Sequence, residues 1–241
     1  MAGHSKWANI KHRKAAQDAK RGKAFTRLIR ELVVASRQGG PSVEDNSRLR
    51  TAVDKALGAN MTRDTIDRAI SRGSGNSDSD NLDEITYEGY ASSGIAVLIE
   101  AMTDNRNRTV AEVRHAFSKH GGNLGTDGSV AYLFEKKGFL IFSNDIEEDA
   151  IMDVALDSGA EDVITHSDGL TEVTVEWEAF SGVRQAFEHA GIAFMQADIS
   201  MLPITCVPLD SSDVKQVLKL VDALEDLDDV QNVYTNAKWP E

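Results

Sequence analysis

FLIFSNDIEEDAIMDVALDSGAEDVITHSDGLTEVTVEWEAFSGVRQAFEHAGIAFMQADISM, residues 139–201, switches repeatedly between the two hydrophobic periods of regular structure. Residues 139–142 are a short apolar run and predict a strand, and residues 148–158 have helical spacing. Residues 163–166 and 172–176 predict two strands around the turn Ser167-Asp168-Gly169. Residues 180–190 predict a helix ended by Gly191, and residues 193–201 a last strand. The order β-α-β-β-α-β is that of a ferredoxin-like unit.

On the N-terminal side of this unit the pattern is first purely helical. Phe25, Leu28, Ile29, Leu32 and Val33 recur at i, i+3, i+4, i+7 and i+8, and Gln38-Gly39-Gly40-Pro41 stops that helix. Leu49, Ala52, Val53, Ala56 and Leu57 repeat the spacing behind a cap at Asp45 or Asn46. Ile66, Ala69 and Ile70 mark a third, short helix after Thr62. Three such stripes bury one another in a small bundle. GSGNSDSD, residues 73–80, holds no apolar residue and reads as a linker. Strands follow at 85–87 and 95–101, then a helix at 109–120 with Val110, Val113 and Phe117 inward, then a strand at 129–134.

Beyond the ferredoxin-like unit only one helix, 214–224, and one strand, 230–234, remain. They are too few for a domain of their own. The expected fold class is therefore α+β: an N-terminal three-helix domain plus two α/β domains, one inserted into the other. The expected boundaries are 1–75 for the basic helical domain, 76–83 for a linker, 84–134 plus 205–241 for a discontinuous middle domain, and 135–204 for the insert.

Charge is distributed as unevenly as the structure. The 241 residues carry a net −13. Residues 1–80 hold sixteen Lys and Arg against nine Asp and Glu, whereas residues 81–241 hold ten against thirty. Ten of the first 37 residues are Lys or Arg, opposed only by Asp18 and Glu31. Such asymmetry points to a polyanionic partner. If residues 11–37 form one helix, its apolar stripe fixes the buried face, so Lys11, Arg13, Lys14, Lys20, Arg21, Lys23, Arg27 and Arg30 line the outer one, with Lys6 ahead of it. Cations placed this way neutralise phosphates and release condensed counterions. With about five phosphates engaged, log affinity falls against log salt with a slope near −4 to −5. Trp7 among them either stacks on a base or anchors the bundle, and His12 can donate to phosphate or base edge. The acidic remainder is repelled by phosphate, which orients the molecule. A second candidate surface holds Arg106 and Arg108 at the start of a helix, with Arg114 and Lys119 further along it, ahead of the loop Gly121-Gly122-Asn123-Leu124-Gly125.

Other classes find little support. The single cysteine, Cys206, cannot form an intramolecular disulfide or a cysteine-built metal site, and it favours a reducing compartment. The six histidines lack HExxH or other metal spacing, and GGNLGTDG is not a phosphate-binding loop. Glu225, Asp226, Asp228 and Asp229 lack the alternation of a calcium loop and read as a solvated acidic helix end. No apolar run approaches the ~18 residues of a membrane helix. The expectation is a non-enzyme with no cofactor, no metal, no membrane and no small-molecule substrate.

GHSKWANIKHRKAAQDAKRGKAF (3–25), VDKALGANMTRDTIDRAI (53–70) and above all DNRNRTVAEVRHAFSKHGGNLGTDGSVAYLF (104–134) resemble the YebC family. The resemblance covers nearly the whole chain. It implies three domains and a cytoplasmic, cofactor-free protein, with no catalytic residues. Bacterial members are described as probable transcriptional regulatory proteins, and a eukaryotic relative is a mitochondrial translational activator. Two readings follow. One is a DNA-binding transcriptional regulator acting through the basic helical domain. The other is a translation factor that contacts ribosomal RNA or tRNA on the ribosome. No helix-turn-helix with a clear recognition helix supports the first, and no aromatic RNP signature supports the second.

Overall fold

The computed structural model describes residues 21–75 and 82–239. They form two compact units. One comprises 21–75, 82–131 and 209–235, the other 132–208 and 236–239.

The first unit begins with the bundle. Helices α1 (Arg21–Gly39), α2 (Ser47–Gly58) and α3 (Arg63–Ser74) enclose Leu32, Val33, Ala35, Leu49, Ala52, Val53, Ala56, Met61, Ile66 and Ala69. Asn46, not Asp45, caps α2: its Oδ1 accepts from Leu49 N at 3.0 Å. Its Nδ2 donates back to Ala35 O at 2.8 Å and Gly40 O at 2.9 Å. One buried amide thus starts α2 and holds the end of α1. Gly73 is the point of closest helix approach, since a Cβ there would overlap Val33 O of α1. The part of the expected first helix before residue 21 lies outside the described residues.

Four antiparallel strands follow in the order β3-β1-β2-β9. These are β1 (Asp83–Tyr90), β2 (Ala96–Thr103), β3 (Asn123–Leu124) and β9 (Val230–Thr235). Central β2 is apolar on both faces, and Ala96 through Ile99 are essentially inaccessible. Helix α4 (Arg106–Lys119) buries Val113, Ala116 and Phe117, and helix α7 (Ser211–Glu225) buries Val217, Leu220, Val221 and Leu224. The two pack together. Arg108 at the start of α4 reaches Asp229 just past the end of α7, while His120 past the end of α4 accepts from Gln216 near the start of α7. The pair is therefore antiparallel.

The expected strand at 129–134 does not form. Residues 131–133 make a 3₁₀ turn, and the next strand starts at Phe134. The reason is Glu88 on β1, 6% exposed. Its carboxylate accepts from the backbone N–H of Gly128 at 2.7 Å, Val130 at 2.6 Å and Ala131 at 2.7 Å. Donors held by a carboxylate are not free to join a ladder. The strand that completes this edge is instead β3, two residues long and paired with Gly89 and Tyr90.

The second unit is the ferredoxin-like insert. Its strands are β4 (Phe134–Phe142), β5 (Asp162–Thr165), β6 (Thr171–Glu176) and β7 (Gln196–Pro203), with helices α5 (Glu148–Ser158) and α6 (Phe180–His189). The antiparallel order β5-β6-β4-β7 places the two strands that open and close the unit side by side. Leu140, Phe142, Ile151, Ala155, Val173, Val175, Phe180, Val183 and Phe187 form its core. Two-residue strands β8 (Val207–Pro208) and β10 (Ala237–Lys238) pair in parallel. The chain leaves the first sheet after β3 and returns to it with α7 and β9, so one α/β domain is inserted into the other.

Candidate nucleic-acid interface

Lys6, Trp7, Lys11, His12, Arg13, Lys14 and Lys20 lie outside the described residues, as does the side chain of Arg21. The remaining candidates divide sharply by what they touch.

Lys23, Arg27 and Arg30 stand at i, i+4 and i+7 on α1, and all three meet the C-terminal end of α7. Lys23 Nζ donates to Asp226 O at 2.6 Å and lies 3.4 Å from its carboxylate. Arg27 donates to Glu225 O. Arg30 donates to Met102 O at 3.0 Å and to Asp228 O. It also lies 2.9 Å from Asp229 Oδ1. The end of a helix presents unpaired carbonyls and a partial negative charge, which three cations in a row complement. Burial lowers the Arg27 pKa, partly offset by Asp226. The sequence suggested free phosphate ligands at Lys23 and Arg27. The structure gives both an internal partner.

Asp229 corrects the reading of a wholly solvated acidic helix end. It is 1% exposed. Its Oδ2 accepts from Arg108 Nη2 at 2.7 Å, Thr109 Oγ1 at 2.7 Å and Thr103 Oγ1 at 3.0 Å. Burial opposes its charge, yet the bonds from Arg108, Thr109 and Thr103 and the charge of Arg30 hold its pKa below the ordinary value. Arg108 also bonds Asp104 at 2.7 Å, and its own pKa rises accordingly. Arg106 pairs with Asp83 at 2.7 Å. Neither arginine at the start of α4 is therefore unengaged. Arg48, which sequence reading passed over, joins Glu31 at 2.8 Å to Glu84 at 2.6 Å, linking the bundle to β1.

Arg114 and Lys119 differ. Both are exposed, and among the described residues neither has a hydrogen bond, ion pair or ring contact. The glycine loop after them is fully used in packing. A Cβ on Gly122 would sit 2.7 Å from Tyr90 O, and one on Gly125 2.6 Å from Ser129 Oγ. The structure therefore uses these two glycines for close packing. Among the described residues no group of three or more His, Cys, Asp or Glu is placed to hold a metal, and no helix is long and apolar enough to cross a membrane.

Two family models cover this chain. The TACO1/YebC N-terminal domain matches residues 5–76, and the TACO1/YebC second and third domain matches residues 82–237. The chain belongs to the TACO1/YebC family. Among its relatives, the transcriptional regulatory protein PmpR of Pseudomonas aeruginosa is 62% identical over all 241 residues, which cover 97% of that protein. A probable transcriptional regulatory protein of Hahella chejuensis is 61% identical over the same span and share. A conserved hypothetical protein, Aq1575 of Aquifex aeolicus, has a crystal structure that matches with a TM-score of 0.86 at 46% identity, covering 98% of each chain.

Proposed function

We propose that the protein is a non-enzymatic regulator of gene expression that grips duplex DNA through its N-terminal basic block. The observation that carries this reading is the partition of charge. Sixteen cations against nine acids precede residue 81, and thirty acids against ten cations follow it. A phosphate backbone attracts the first segment and repels the second, so the encounter is oriented before contact. The regulatory names of close relatives support the same reading. Because Lys23 and Arg27 are bound to the end of α7, phosphate contact falls to the cations before them: Lys6, Lys11, His12, Arg13, Lys14, Lys20 and Arg21.

The test is duplex-DNA binding by the full chain across a salt series. Replacing Lys11, Arg13 and Lys14 together with Ala should weaken binding and flatten the salt slope by about 3, at about 0.9 per phosphate lost. An unchanged slope overturns the assignment. Crosslinking in cells with sequencing of both bound DNA and bound RNA should recover DNA at defined promoters. Recovery of ribosomal RNA or tRNA alone would replace the transcriptional reading with a ribosomal one.

A further inference from the structure

Five cations among the described side chains have no hydrogen bond, ion pair or ring contact: Arg63, Arg114, Lys119, Lys215 and Lys219. Four of the five are on α4 and α7. The remaining described cations are each engaged in a hydrogen bond, ion pair, ring contact or electrostatic interaction. In a chain with thirteen more acids than bases, a cation finds an internal partner by default. Four that do not, gathered on two adjoining helices, call for a reason.

The helices that carry them form one layer. Val113, Ala116 and Phe117 of α4 and Val217, Leu220 and Val221 of α7 are buried beneath it. Arg114 and Lys119 are exposed on α4, and Lys215 and Lys219 on α7. Because the helices are antiparallel and Gln216 meets His120, Lys215 and Lys219 flank the half of α4 that bears Arg114 and Lys119. At 1.5 Å and 100° per residue, Lys215 and Lys219 are spaced about 6 Å along α7 on one face, whereas Arg114 and Lys119 are about 7.5 Å apart along α4 and about 140° apart around it, on its two flanks. Glu112 and Asp222 are the exposed acids of the same layer. Its other carboxylates are engaged: Asp213 takes the Ser93 hydroxyl, and the acids at the end of α7 hold α1.

We propose that the α4–α7 layer is a second DNA-contacting surface, with Arg114, Lys119, Lys215 and Lys219 each taking a backbone phosphate of a duplex. This rests on the DNA-binding reading above and adds to it a surface outside the basic block. Arg106 and Arg108 have no part in it, because Asp83 and Asp229 hold them. The surface contributes affinity and orientation, as phosphate contacts do.

The experiment measures binding of the full chain to a fluorescent 30-base-pair duplex, followed by anisotropy from low to high salt. Three variants are compared with the parent: Arg114→Gln, Lys119→Gln, Lys215→Gln and Lys219→Gln combined; Glu112→Gln with Asp222→Asn; and the Lys11, Arg13, Lys14 triple alanine. The four exposed replacements should leave the melting temperature unchanged. They should lower affinity at least tenfold near physiological salt and reduce the salt slope by about 3 to 4. Neutralising Glu112 and Asp222 should instead raise affinity. If the triple alanine weakens binding but the fourfold glutamine variant binds like the parent, this surface is refuted and the N-terminal reading stands. A parent that binds no duplex DNA refutes both. A loss seen with duplex RNA and not with DNA also overturns the proposal.

Discussion

The inserted domain and the α4–α7 layer treat charge in opposite ways. Residues 132–208 hold fifteen Asp and Glu against three Lys and Arg, and all three cations are engaged. Lys137 bonds Glu161 and Glu176, Arg184 bonds Glu188, and Lys136 lies 4.5 Å over the Trp177 ring. Around α4 and α7, Asp213 is instead taken by Ser93, Asp229 by Arg30 and Arg108, and Asp83 by Arg106, and four cations are left unpaired beside the exposed Glu112 and Asp222. The net charge of a segment does not reveal which of its charges face outward unpaired. Pairing decides that, and pairing depends on which elements are neighbours.

The strongest challenge to this contrast is Asp229→Ala. It would leave Arg108, Thr103 and Thr109 without their common acceptor and Arg30 without a nearby carboxylate. Expected is a loss of about 3 kcal/mol in urea unfolding, the low end for a broken buried pair because Arg108 can turn to water. A loss below 1 kcal/mol would show that Asp229 is no hub. Next in size is Gly73→Ala, whose Cβ would force α1 and α3 apart. Thermal unfolding should report about 1–3 kcal/mol of overpacking.

A pH series sharpens the same point. Burial opposes the charge of Glu88, but the N–H groups of Val130, Gly128 and Ala131 leave its pKa below normal, and Asp229 is lowered as well. A depressed carboxylate stabilises the fold above its unfolded pKa, near 4. That stability is lost as pH falls through the lower folded value. Stability should therefore decline below about pH 4, and less steeply in Glu88→Gln than in the parent. Equal slopes in both would exclude Glu88 as a contributor. The smallest effect belongs to Arg106→Gln. Its pair with Asp83 is exposed and screened by solvent, so its loss should leave the melting temperature nearly unchanged. A marked drop would mean that this arginine does more than the geometry shows.

The apolar periods of α1, α2, α3, α5 and α6 are long enough to read directly, and so is the order of elements in the insert. β3 is only two residues, Asn123 and Leu124, too short for any period to show. Val130 looked like strand because it is apolar, but its N–H belongs to Glu88, a residue 42 positions away. The candidate site divides along the same line. Lys23 and Arg108 are cationic in the sequence, but Asp226 and Asp229, their partners, are 203 and 121 positions distant. Nothing local in the sequence sets Lys215 and Lys219 beside Arg114 and Lys119.

From residues alone came most of the elements, the ferredoxin-like order and the concentration of positive charge at one end. These are periodic or compositional, and neighbours in sequence suffice to specify them. Only the tertiary structure decided which cations are spent on carboxylates and carbonyls and which stand unpaired in water. A charge is satisfied by whatever lies within about 4 Å, and the fold rather than chain position determines that neighbour.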